Sequence, residues 1–387
     1  MVGHLLPRQA EFREFATERI GPYAAEHDRE QRLAPHIVGD LARHGYLSPF
    51  LPLERGGQAM SWTMLGALHE EIGRACSSVR SLLTVHAMTT FAIQRWGSNE
   101  QRERWLLPLT RGEVLGALAL SEPNAGSDIS GIEATALHVD DGFVVNGCKK
   151  WMTIGQIAGL FLVLLKSEGG SVTLLVERGR PGLTIDPIHD VLGTRGSMLA
   201  TLKFHDCFVP RENLIGNPGF GNSVALSALS LGRYSVACGS VGIIQACIDA
   251  SLEYTRKVSR FGAELRGHQL IQQMIADMVT DASASRLLCR EAGRMRDEQD
   301  PAEIQQIFIA KYHATSAAMR AASSAVQIHG ANGCSNDYPV QRYMRDAKVM
   351  EIIEGSTQIQ QITIASLAFQ ELGQAKSAQR ALFEKSV

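Results

Sequence analysis

The hydrophobic pattern of the chain changes period twice. From the N-terminus to about Gly112, apolar residues recur three and four apart. "QAEFREFATERIGPYAAEHDRE" carries its charges on the opposite face, the pattern of an amphipathic helix. "SSVRSLLTVHAMTTFAIQRWG" is apolar nearly all round, which predicts a buried helix. "SNEQRERWLLPLTRGE" opens on Ser98 as an N-cap ahead of acids, with Pro108 and Gly112 as stop signals. From about Val114 to Asn217 the period drops to two. "ATALHVDDGFVVNGCKKWMTI" places a "DDG" turn, and a second turn at "NG", among β-rich runs. "GLFLVLLKS" and "SVTLLVERG" read as strands separated by Gly169 and Gly170, and "ATLKFHDCFVP" alternates again. After "GNPGFGNS" the helical period returns and persists to the end. The pattern predicts an α+β chain of three units: an N-terminal helical domain (1–112), an all-β middle of barrel or sandwich type (113–217) and a C-terminal bundle of about four helices (218–387). No internal repeat or low-complexity segment interrupts this order.

Composition narrows the function. With 387 residues the chain exceeds one ordinary core. Lys plus Arg total 38 against 40 for Asp plus Glu, which excludes nucleic-acid binding through a broad basic field. No apolar run in the sequence reads as a bilayer span, and acids interrupt the N-terminal "MVGHLLPRQAEFREFATERI", so neither a membrane segment nor an export signal is expected. The seven cysteines are scattered, with no C-x-x-C pair or metal-ligand spacing. They predict reduced thiols, a cytoplasmic protein and no metal site.

Two charged residues stand in apolar company. Glu354, in "MRDAKVMEIIEGSTQIQQ", lies between Ile352, Ile353 and Gly355, which offer a carboxylate no partner. Such an acid is either exposed at a helix end or buried, and burial raises its pKa towards the range of a working general base. Arg80 interrupts the apolar "VRSLLTVHAM". A buried arginine needs an anion: an acid such as Glu70 or Glu71, or a substrate carboxylate.

Four stretches resemble signatures of the acyl-CoA dehydrogenase superfamily, in the family's order and across nearly the whole chain: "LALSEPNAGSD", "KKWMTIG", "GTRGSMLATLKFHDCFVPRENLIG" and "QIHGANGCSNDYPVQRYMRDAKVMEIIEGSTQIQQ". The resemblance implies an FAD enzyme that removes the α-proton of an acyl thioester while a hydride passes from the β-carbon to the flavin. It implies flavin contacts at Leu120, Ser121, Gly126 and Ser127. It also implies contacts at Trp151 and Thr153, which a strand's period would set on one face. Ile154 replaces the family's usual Asn. Family sites are completed by a neighbouring subunit, which implies a homotetramer with Arg260, Phe261, Gln327 and Ala331 as adenosine and diphosphate contacts. Val258 stands where the family commonly has Arg, so Arg260 is the candidate replacement. Ser356 takes the place of a common Thr, and Gln358 matches a flavin-side Gln.

Glu354 aligns with the catalytic base of short- and medium-chain members. Relatives that carry the base on the bundle helix place it at the position of Gly232, ahead of Arg233, and a glycine cannot serve. Arg80, Arg233 and Gly355 fall on the substrate side, and the Arg80 stretch is similar to that of glutaryl-CoA dehydrogenases, whose arginine reads a distal acid. Other phrases, among them "GRYSVACGSVGIIQAC", resemble dehydrogenases of polyketide clusters. Those act on short acyl groups of an acyl carrier protein, towards hydroxymalonyl or methoxymalonyl units. The expected partners are therefore a short acyl thioester on CoA or carrier protein and an electron-transfer flavoprotein or similar acceptor. An O₂-using oxidase and a non-catalytic binding protein on the same scaffold remain the alternatives.

Overall fold

The computed structural model describes residues 6–384, with the backbone alone for residue 371 and residues 373–384. Residues 1–5 and 385–387, which the domain boundaries above include, lie outside the described residues. The N-terminal unit comprises α1 (Gln9–Phe15), α2 (Ala24–Glu30), α3 (His36–Arg43), α4 (Trp62–Ala75), α5 (Ser77–Trp96) and α6 (Asn99–Thr110). Helix α5 is buried over most of its length, as its all-round apolar pattern predicts. The Ser98 hydroxyl accepts from the Gln101 N–H (3.2 Å), and the Gln101 side chain accepts from the Ser98 N–H (2.8 Å), closing a capping box on α6. Pro108 is not a stop. Helix α6 runs through it to Thr110, because a proline in the last turn forfeits one helical bond while Leu106 and Leu109 stay fully buried.

The middle unit is one sheet of eight strands: β1 (Gly116–Ala119), β2 (Thr135–Val139), β3 (Gly142–Met152), β4 (Leu160–Ser167), β5 (Gly170–Glu177), β6 (Leu183–Pro187), β7 (Ala200–Pro210) and β8 (Leu214–Ile215). Its order is β6-β7-β3-β2-β4-β5-β8, with β1 parallel to β4. Asp140 and Asp141 make the expected β2–β3 turn. The "NG" pair does not turn. It forms a bulge inside β3, where the register against β7 slips between Val145 and Gly147. Gly147 adopts φ 129, and a Cβ there would stand 2.6 Å from Ala134.

The C-terminal unit begins with α7 (Gly221–Lys257), followed by the short β9 (Ser259–Arg260) and β10 (Ala263–Glu264) hairpin, α8 (Gln269–Asp297), α9 (Glu303–His329), α10 (Val340–Ile352) and α11 (Thr357–Glu384). Helix α7 packs on α4, α5, α8 and α9. By length and composition it could cross a membrane, which the sequence pattern did not suggest, but its most apolar window is 78% buried: it is the core helix of the fold. Its glycines permit close crossing rather than ending the helix. A Cβ on Gly242 would stand 2.5 Å from the Arg74 backbone N on α4, and one on Gly73 would stand 2.7 Å from the Gly239 carbonyl. The crossing brings α4, α5 and α7 together beneath the turn between α10 and α11.

Candidate active site

Glu354 lies in that turn with φ 55, and Gly355 follows with φ 91. Two successive left-handed residues reverse the chain, and the first is strained for a residue with a side chain. Lys311 Nζ donates to the Gly355 carbonyl at 2.6 Å. Gln360 Nε2 donates to the same carbonyl (2.9 Å) and to that of Glu354 (3.2 Å). The residue as a whole is partly accessible, but Oε2 is buried and has no hydrogen-bond partner. It points at Gly232 on α7: a Cβ there would collide with Oε2 and stand 2.9 Å from Met88 Sδ. Glycine at 232 therefore makes the room that the carboxylate occupies. Burial raises the Glu354 pKa, while Arg233, Arg80 and Lys311 act in the opposite direction.

Arg80 is 1% exposed. Its guanidinium donates to Thr84 Oγ1 and Ser81 Oγ, both at 2.9 Å, and lies 3.1 Å from Met350 Sδ. Its stem fills the space left by Gly239, where a Cβ would stand 2.6 Å from Arg80 Cδ. The ion pair with Glu70 or Glu71 is not formed. Glu70 pairs with Arg286 (2.8 Å), and Glu71 with Arg13 (2.9 Å) and Arg74 (3.6 Å). Arg80 has no ion-pair partner among the described residues. Burial lowers its pKa to about 10, which leaves it charged at neutral pH. A polar chain continues from Thr84 to Ser235 (2.6 Å) and on to His69 Nδ1 (3.1 Å). His69 is held neutral by burial, its pKa lowered to about 3. Arg233 lies with its guanidinium carbon 4.6 Å from the Phe308 ring centroid, and its Nε is buried without a partner. Positive charge thus outnumbers negative around Glu354.

Sequence reasoning missed Lys311, Gln360, Met88 and the Thr84–Ser235–His69 chain. A signal for Lys311 exists in hindsight: it occupies a core position on α9, among the buried Ile307, Ala310 and Ala314.

A second cluster gathers Leu120, Ser121 and Trp151. The buried Glu122 carboxylate accepts from Lys149 Nζ (2.6 Å) and from the backbone N–H groups of Glu133 (2.6 Å) and Ala134 (3.1 Å). Lys149 also donates to the Leu120 carbonyl (3.1 Å), and the Lys150 N–H to that of Ser121 (2.8 Å). These bonds fasten the 120–128 loop to β3. Gly126 and Ser127 are exposed, and nothing lies within 4 Å of a Cβ built on Gly126. Trp151 is 49% exposed with φ 70. Its left-handed conformation breaks the strand period. Strand β3 ends at Met152, and Thr153 falls in the following turn rather than on the Trp151 face. An open indole beside a fixed loop with a free hydroxyl and an unobstructed glycine suits a flat ring and a phosphate group.

The remaining candidates do not join either cluster in the single chain. Arg260 and Phe261 lie on the β9–β10 hairpin, with Phe261 99% exposed. Gln327, Ala331 and Gln358 are exposed, and Ser356 accepts weakly from the Ile359 N–H (3.4 Å) at the start of α11.

Comparison with known proteins fits this arrangement. Sequence profiles of the N-terminal, middle and C-terminal domains of acyl-CoA dehydrogenase match residues 8–113, 117–207 and 219–368. Mitochondrial short-chain specific acyl-CoA dehydrogenase of Mus musculus is 35% identical over 368 residues, covering 94% of this chain and 89% of its own. The structure of a glutaryl-coenzyme A dehydrogenase in complex with glutaryl-CoA superposes with a TM-score of 0.90 at 31% identity, covering 96% of this chain and 97% of that one. FkbI, for biosynthesis of the methoxymalonyl extender unit of the polyketide Fk520, superposes at 0.85 and 30% identity, covering 94% and 99%. The chain belongs to the acyl-CoA dehydrogenase family, whose members are FAD-dependent oxidoreductases acting on CH–CH donors.

Proposed function

We propose that the protein dehydrogenates a short acyl thioester, with Glu354 taking the α-proton. The observation that carries this reading is the buried, unpartnered Oε2 lodged against Gly232. A carboxylate with one oxygen withdrawn from water and from hydrogen-bond donors is a stronger base than one in solution. The surrounding cations keep it ionised and offset the negative charge that develops on the substrate as its proton leaves. A bound FAD supplies the two-electron acceptor that the oxidation needs. Leu120, Ser121, Gly126, Ser127, Trp151 and Thr153 would hold it from one subunit. Arg260, Phe261, Gln327, Ala331, Ser356 and Gln358 would complete the site, those on the exposed hairpin and helix ends reaching from a neighbour in a homotetramer.

On the substrate side, Arg233 and Gly355 flank the thioester, and Arg80 meets a carboxylate or hydroxyl on the acyl group. Its full burial and unpaired charge support this. The likeness to a glutaryl-CoA enzyme and to FkbI points the same way, towards a short acidic or hydroxylated acyl unit on CoA or a carrier protein, of the kind used in extender-unit formation. Electrons would leave to an electron-transfer flavoprotein or a similar acceptor in the cytoplasm.

The test is anaerobic mixing of the purified yellow protein with butyryl, glutaryl and hydroxylated three-carbon thioesters, each as CoA and as carrier-protein forms. Bleaching of the flavin by at least one of them is expected, and its loss in Glu354→Gln. A flavin that none of them reduces would overturn the reading. Timed reoxidation in air separates a dehydrogenase from an oxidase.

A further inference from the structure

The turn that presents Glu354 is strained, with the base itself in the left-handed region. Two groups reach it from outside, and both grip the carbonyl of Gly355, the residue directly after the base. One is Gln360, at the start of α11. The other is Lys311 on α9, which is 0% exposed. A lysine so fully withdrawn from water ordinarily pairs with a carboxylate. The hydrogen bond of Lys311 goes instead to a backbone oxygen, at 2.6 Å, and Glu354 is the opposite charge that acts on the ammonium most strongly. The other charged groups that Lys311 feels are Arg233 on α7 and Glu351 on α10. Glu354 in turn feels Arg233, Arg80 on α5, and Lys311.

We propose that Lys311 is a positioning residue for proton abstraction: it pins the Glu354 turn through the Gly355 carbonyl, and its charge keeps the carboxylate ionised. This rests on the reading of Glu354 as the base. Burial lowers the Lys311 pKa to about 7, with Glu354 resisting the fall. The charge is therefore present on the acid side of neutrality, where Glu354 is at risk of protonation. It fades above pH 7. The neutral amine that remains is still an N–H donor, so the grip on Gly355 persists across the range.

A lysine that merely filled space would affect folding but not the ionisation of Glu354. The test compares wild-type holoenzyme with Lys311→Met, Lys311→Gln and Glu354→Gln. The probe is a 3-thia acyl thioester, whose β-sulfur leaves no hydride to transfer. Wash-out of its α-hydrogen into D₂O is followed by NMR as a function of pH, beside FAD content and unfolding temperature. Lys311→Met should keep its FAD and lose exchange by roughly 10- to 100-fold, the scale for displacing a reacting group by about 1 Å. The acid limb of its profile should move up by about 1 pH unit, since an opposite charge nearby has been removed. Lys311→Gln keeps a donor without the charge. It should show the same shift with a smaller loss of rate, and it decides alone if Lys311→Met does not fold. Acid limbs that superimpose on wild type in both variants would overturn the proposal while leaving the base assignment intact. Wild-type exchange in Glu354→Gln would instead remove the base assignment, and the role of Lys311 with it.

Discussion

Arg80 keeps its charge in a place where its direct contacts among the described residues are hydroxyls and a thioether, with no carboxylate in ion-pair contact. If a substrate anion fills that gap, Arg80→Met should lower kcat/KM for an acidic three-carbon or glutaryl thioester by about 3–5 kcal/mol, the usual cost of breaking a desolvated charge pair. Butyryl thioesters should be unaffected or improved. Equal losses on both substrate types would make Arg80 a structural residue. Glu354 gives the pH dependence. Its pKa is raised by burial and the base works ionised, so kcat/KM should fall as pH drops through a value above the ordinary carboxylate range of about 4. An acid limb at the unperturbed value would contradict the burial. Both residues were legible in the sequence because a charge in apolar company is conspicuous. Lys311 was not: helical spacing places it in the core, but the carbonyl it meets belongs to a turn that no local pattern describes.

At the scale of elements, the Glu122–Lys149 pair links a loop to a strand. Both side chains are buried, at 3% and 0% exposed. Lys149→Met leaves an unpaired carboxylate and should cost about 3–5 kcal/mol of stability. A lowered unfolding temperature with early FAD loss would register it, and a melt like that of wild type would show that the loop holds without the pair. The order of helices and strands was readable from period alone, since periods of 3.6 and 2 are hard to confuse over long runs. The errors fall where one residue type serves two ends. "NG" reads as a turn and forms a bulge. Pro108 reads as a stop and sits in a last turn. The glycines of α7 carry no sequence signal of the close crossing by which they admit α4 and Arg80. In each case tertiary contact decided what the local signal left open.

At the scale of the molecule, the hairpin of Phe261 bears on the proposed homotetramer, because this large apolar side chain is fully exposed in the single chain. A phenylalanine side chain left in water forgoes about 1.5–3 kcal/mol of burial energy, and a neighbouring subunit would recover it. Phe261→Asp should therefore loosen the assembly and lower FAD retention together, measured by light scattering and by the ratio of flavin to protein absorbance. A wild-type monomer with full FAD occupancy would contradict the assembly.

Gly232 carries a consequence for how such a site can change over time. Positions 232 and 354 lie far apart in the chain yet compete for one small volume, so only one of them can bear a side chain there. Gly232→Glu alone should jam the site, and Glu354→Gly alone should leave it without a base. The double variant should exceed both in turnover, because the acid then enters the same space from α7. If it does not, the two positions are not interchangeable sources of the carboxylate. If it does, a lineage moving its base between the α10–α11 turn and α7 must cross an inactive intermediate in either order of mutation. That barrier makes the choice of position hard to reverse.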